Sequence, residues 1–152
     1  MKRLLLTALA GTLLTTAATT AFADTPEERA IDYRKAVFTV IGYNFGPMGA
    51  MVRGDAPFDA EVFARNAANV AAVSHMAIDG FIPNSDLGET RSKPEIWTNW
   101  DDFSHMMVKM EEEVTRLAEV AQGASSVNDV RRQFGATANS CRDCHDAYRT
   151  QR

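Results

Sequence analysis

The chain has 152 residues, 16 Lys+Arg against 20 Asp+Glu, and a formal net charge of −4. That length suits one domain with a real core. An acidic chain with no basic run argues against nucleic acid and anionic membrane surfaces as partners.

The first 23 residues do not read as part of the fold. Lys2 and Arg3 give a positive start, residues 4–14 are largely apolar, and Ala21-Phe22-Ala23 fits the small-x-small cleavage pattern. This predicts a secretory signal peptide over residues 1–23, removed before Asp24, and one domain over residues 24–152. The apolar run is too short, and too interrupted by threonine, to span a membrane. The leader predicts export from the cytoplasm.

Thr25, Pro26, Glu27 and Glu28 form a helix start: a cap, a proline suited to the first turn, and acids at the positive end of the dipole. Ile31, Arg34, Phe38, Ile41, Phe45, Met48 and Val52 then step by three or four and predict one inward stripe. Arg34 is the only polar member. Gly42 and Gly46 weaken this helix, and Pro47 is expected to kink it. Arg53-Gly54-Asp55-Ala56-Pro57-Phe58-Asp59 reads as a turn. A second helix follows over about residues 59–79, with Phe63, Ala67, Val70, Ser74, Ala77 and Phe81 as its stripe and Gly80 as its stop.

Residues 81–93 keep no period and carry Pro83, Asn84, Ser85, Asp86 and Gly88. So long a loop in a small domain is often functional. Pro94-Glu95-Ile96-Trp97 reads as a short helical turn. A third long helix over about 101–122 places Phe103, Met106, Met107, Met110, Val114, Leu117 and Ala121 inward, and Gly123 ends it. Ser126 and Asp129 restart a helix as a capping box. Its stripe is Val127, Val130, Phe134, Ala138, Cys141, His145 and Tyr148.

That last stripe contains Cys141-Arg142-Asp143-Cys144-His145, the attachment pattern of a c-type haem. On a helix, positions i, i+3 and i+4 share a face. Two thiols can reach the two vinyl groups of one porphyrin while the next imidazole sits under the iron, with His145 as axial ligand. A thioredoxin-like site needs a βαβ setting, which is missing here. A zinc site needs a fourth ligand. A disulfide leaves His145 unexplained. Haem attachment outside the cytoplasm also agrees with the leader.

Four amphipathic helices with no strand pattern predict an all-α, antiparallel up-down four-helix bundle with covalent haem near the C-terminal helix. Over essentially the whole of residues 24–152 the sequence resembles the cytochrome c′ family. The resemblance rests on Tyr33-Arg34, Gly54-Asp55-Ala56-Pro57-Phe58-Asp59, Pro94-Glu95-Ile96-Trp97 and residues 141–149. It implies a periplasmic haem c protein, often a homodimer through the first helix, with five-coordinate iron. Such a protein exchanges electrons with a periplasmic redox partner and binds gases such as nitric oxide and carbon monoxide. It implies Phe38 as the apolar side chain over the distal face and Arg34 as a propionate-binding cation. It also implies Arg149 near the proximal histidine, and Lys35, Glu89 and Thr90 at the haem edge.

The rival reading is a low-spin carrier with a sixth ligand from methionine or histidine. Some relatives place such a methionine near the position of Phe38. Met48 and Met51 lie roughly 15–20 Å further along the helix, too far for that role. Met106, Met107 and Met110 read as core filler, His105 as solvated and His75 as flanking. An enzyme such as a peroxidase would need a distal acid–base group, which Phe38 does not supply.

Overall fold

The computed structural model describes residues 24–151, so the expected signal peptide lies outside the described residues. The order is α1 (Pro26–Arg53), α2 (Ala60–Ser74), a 3₁₀ segment (His75–Gly80), α3 (Glu95–Thr98), α4 (Trp100–Gln122) and α5 (Val127–Tyr148).

Caps set the ends of these helices. The Thr25 hydroxyl accepts from Glu28 N at 3.1 Å, and the Glu28 carboxylate accepts from Thr25 N at 2.8 Å. This closes a capping box at the start of α1. The helix runs unbroken through Pro47. Proline and Tyr43, four residues earlier, are both exposed, so water can serve the carbonyl that loses its donor. Gly54 then ends α1 in the left-handed region (φ 84°), which a glycine adopts without strain. The Asp59 carboxylate accepts from Val62 N and starts α2. Asp129 accepts from the backbone N–H groups of Ser125 and Ser126 and starts α5.

The second helix is shorter than its sequence suggests. It ends at Ser74 and tightens into the 3₁₀ segment, yet all six expected inward residues from Phe63 to Phe81 are buried. The tighter turn ends where Gly80 meets α1. A Cβ on Gly80 would stand 2.6 Å from Arg34 Cβ and 2.9 Å from the Ala30 carbonyl oxygen. Gly80→Ala is therefore expected to cost about 2–3 kcal/mol, because backbone must move to admit one methyl. A chemical denaturation midpoint equal to the parent's would contradict this.

Aromatic contacts fix the helix directions. At one end, Phe81 follows α2 and touches Phe103 near the start of α4, 4.7 Å between centroids. Phe103 meets Tyr148 at the end of α5, 5.4 Å away. At the other end, Phe45 late in α1 stacks on Phe134 early in α5 at 4.5 Å, and Phe134 meets Phe63 early in α2. The four long helices thus run alternately up and down, as the bundle reading expects. The core between them includes Met48, Phe63, Val70, Phe103, Met107, Leu117 and Val130. Met106 is half-buried against the core, and His75 and His105 are exposed. No helix among the described residues is long and apolar enough to cross a membrane.

Candidate haem site

The bundle does not close between α1 and α5 at the end that carries the Cys-x-x-Cys-His motif. A cavity of about 940 Å³ opens there, near the upper end of the roughly 300–1,000 Å³ of cofactor clefts. Phe45, which stacks on Phe134, is part of its wall. Its α1 wall includes Phe38, Ile41 and Phe45, its α4 wall Phe103, Met107 and Met110, and its α5 wall Cys141, Cys144, His145 and Tyr148. Residues 88–92 and the side chains of Arg34, Lys35 and Arg149 complete it.

The cavity explains an unevenness in α1. Ile31, Arg34 and Met48 are buried, whereas Phe38, Ile41 and Phe45 are only half-buried. The expected stripe is there, but its middle faces open volume rather than protein. Val37, Asn44, Gly49 and Met51 are the further buried residues of α1.

Cys141 and Cys144 are half-buried and not joined in a disulfide. Burial pushes both thiols up, and Cys144 reaches about 11 with the added charges of Cys141 and Asp102. Uncharged thiols make poor metal ligands, since thiolate is the ligating form. They still carry the S–H bonds that add across vinyl groups. His145 is half-buried, and burial first, then Arg149, holds its pKa below the ordinary value. Arg149 Nη1 lies 3.5 Å from His145 Nε2. A neutral imidazole keeps the lone pair that an iron ligand must offer.

Arg34 is the most unusual group in the site. It is 2% exposed, and burial lowers its pKa against the pull of Asp86. Its guanidinium donates to the Gly80 carbonyl (2.6 Å), the Ser85 hydroxyl (2.9 Å), the Ser85 carbonyl (2.6 Å) and the Thr90 hydroxyl (2.8 Å). It also lies 4.8 Å over the Phe81 ring. All four acceptors are neutral, and no ion pair among the described residues includes Arg34. A buried cation whose hydrogen-bond acceptors are all neutral, beside a large cavity, fits a ligand that brings its own carboxylates. Lys35 is exposed and stands 3.9 Å from the Asp32 carboxylate. Glu89 and Thr90 do line the cavity, Glu89 from an exposed position.

Three features had no clear signal in the sequence. Residues 91–93 strap the end of α5: Lys93 N donates to Tyr148 O, Thr150 N donates to Arg91 O, and Lys93 Nζ donates to the carbonyls of Asp146 and Ala147. Tyr148 donates to Asp102 across α5 and α4. Met107 and Met110 are cavity wall as well as core.

Comparison with known proteins agrees with this geometry. The family model described as "Cytochrome C'" matches residues 29–149. A cytochrome c′ of Halomonas halodenitrificans is 37% identical, over 82% of this chain and 98% of its own. The solved cytochrome c prime of Shewanella frigidimarina superposes with a TM-score of 0.80 at 41% identity, covering 85% of this chain and all (100%) of its own. A nitric oxide complex of a cytochrome c prime variant from Alcaligenes xylosoxidans superposes with a TM-score of 0.76 at 28% identity, covering 86% and 100%. The family match thus runs from the first turn of α1 to the residue after α5. The chain therefore belongs to the cytochrome c′ family of electron-transfer and gas-binding proteins, which carry haem c covalently on two cysteines, here Cys141 and Cys144.

Proposed function

We propose that this chain is a periplasmic five-coordinate haem protein that exchanges electrons and reversibly binds small gases, nitric oxide foremost. In this reading residues 1–23 are removed on export and residues 24–152 form one haem domain. His145 is the axial ligand from α5. The observation that carries the reading is the α1 wall of the same cavity: Phe38, Ile41 and Phe45. None of the three can bind iron. The bound haem would supply a one-electron couple and one open coordination position.

The protein's own residues then have separate tasks. Phe38 crowds the open face and yields to a small diatomic. Arg34 and Lys35 stand on the cavity rim where propionates would be charge-matched. Arg149 keeps a positive charge beside His145. Phe38 also supplies no acid–base group of the kind a peroxidase uses, so the reading is of a carrier and binder rather than an enzyme. Tyr33, Val40 and Tyr43 are exposed on α1 at 36%, 43% and 81%. Together they support pairing through α1 into a homodimer.

An optical spectrum of ferric and ferrous protein, with and without nitric oxide and carbon monoxide, tests the reading. The expected ferrous spectrum is broad and high-spin, lacks a sharp α band, and changes with both gases. Sharp low-spin bands that neither gas alters would overturn it. The thioethers of Met107 and Met110 on the α4 wall would then be the first sixth ligands to replace.

A further inference from the structure

One side-chain hydrogen bond fastens the haem-bearing turn of α5 to α4. The Tyr148 hydroxyl donates to Asp102 Oδ2 at 2.6 Å. Tyr148 is buried, and its ring is part of the cavity wall, edge-on to Phe103. It follows Cys144 by four residues and His145 by three, so all three share one face of the helix. Asp102 comes from the first turn of α4 and is exposed on its outer side. It stands one hydrogen bond from the cavity wall, because the Tyr148 it accepts from lines that cavity. Asp101, its neighbour in the same turn, also serves the helix dipole. A dipole role alone therefore does not account for Asp102 turning onto a buried phenol.

We propose that Asp102, held inward by Tyr148, is the group through which α4 lowers the reduction potential of the haem. A fixed negative charge beside the cofactor favours the more positive, ferric state. An exposed carboxylate free to rotate outward would be screened by water and salt. The phenol hydrogen bond holds this one against a residue of the cavity wall. The bond also marks the phenol, whose pKa is pushed up to about 12, chiefly by the hydrogen bond to Asp102. The inference rests on the haem occupying this cavity with His145 as ligand. The parent's own spectrum tests that reading, whereas the difference between parent and variants tests this one.

The experiment is spectroelectrochemistry on the haem-loaded protein, with tyrosine ionisation followed by difference absorbance. Asp102→Asn keeps an acceptor for the phenol and removes the charge. It is expected to raise the ferrous-to-ferric ratio at a fixed potential about threefold and to ease Tyr148 ionisation in part, since a neutral acceptor holds the phenol proton less strongly than a carboxylate. Glu112→Gln makes the same change in net charge at an exposed site on α4 and should move the ratio far less. Tyr148→Phe keeps the charge but releases it, and should fall between parent and Asp102→Asn. A ratio for Asp102→Asn equal to the parent's, or matched by Glu112→Gln, overturns the proposal. A Tyr148→Phe variant that melts earlier with no change in ratio overturns it too, since the pair would then only fasten two helices.

Discussion

Replacing Phe38 with alanine is expected to raise the affinity for carbon monoxide by about tenfold or more. The phenyl ring is half-buried on the cavity wall and has one aromatic partner, Phe81, edge-on at 6.4 Å. A ligand entering from that side must first displace the ring. Full burial of a phenylalanine side chain is worth about 1.5–3 kcal/mol, and partial re-exposure of a half-buried one costs some fraction of that. About 1.4 kcal/mol is already tenfold in affinity. Alanine removes this cost, and the variant should lose little stability because the ring packs on one side only. Carbon monoxide titration of the ferrous protein decides the matter. Unchanged affinity would mean that Phe38 is wall and not gate, and that crowding by Ile41 or Phe45 controls the open face.

The same residue shows what a periodic pattern can and cannot carry. Phe38, Ile41 and Phe45 stand three and four apart, so the sequence places them on an inward face, and they are there. Period says nothing of whether that face meets protein or a cofactor-sized space, which is why their partial exposure came only with the structure. The caps of α1 and α5 were legible because Thr25 and Asp129 act on backbone within three or four residues of themselves. The Cys-x-x-Cys-His motif was legible because its chemistry is fixed by spacing along one helix. The Tyr148–Asp102 pair spans 46 positions and joins a stripe residue to an ordinary acidic helix start, so no local rule marks it. The shortening of α2 follows from close contact between Gly80 and α1, again a meeting of distant segments. Pro47 sits on the watered side of α1, where the helix continues through it.

Arg34 is where sequence and structure meet most tightly, and its replacement is expected to have the largest effect on stability. An arginine on an apolar stripe asks for a partner, and the resemblance names a propionate. The structure adds four acceptor atoms from the chain itself, one at the end of the 3₁₀ segment and three in the loop that follows it. Methionine at this position would replace the aliphatic stem and supply no donor. It would leave the carbonyls of Gly80 and Ser85 and two hydroxyls to find other partners in a buried place, each loss costing about 1–3 kcal/mol unless water enters. A net loss of about 3 kcal/mol is expected for Arg34→Met, read as a lower denaturation midpoint. Lysine separates the two roles. It keeps the positive charge for a propionate but, lacking the planar fork, cannot hold both Ser85 and Thr90 as the guanidinium does. Arg34→Lys should therefore preserve the haem potential better than Arg34→Met while losing much of the same stability. If lysine instead restores the melting behaviour fully, charge rather than the fork organises the loop, and the rim depends on the cofactor's own carboxylates to hold its shape.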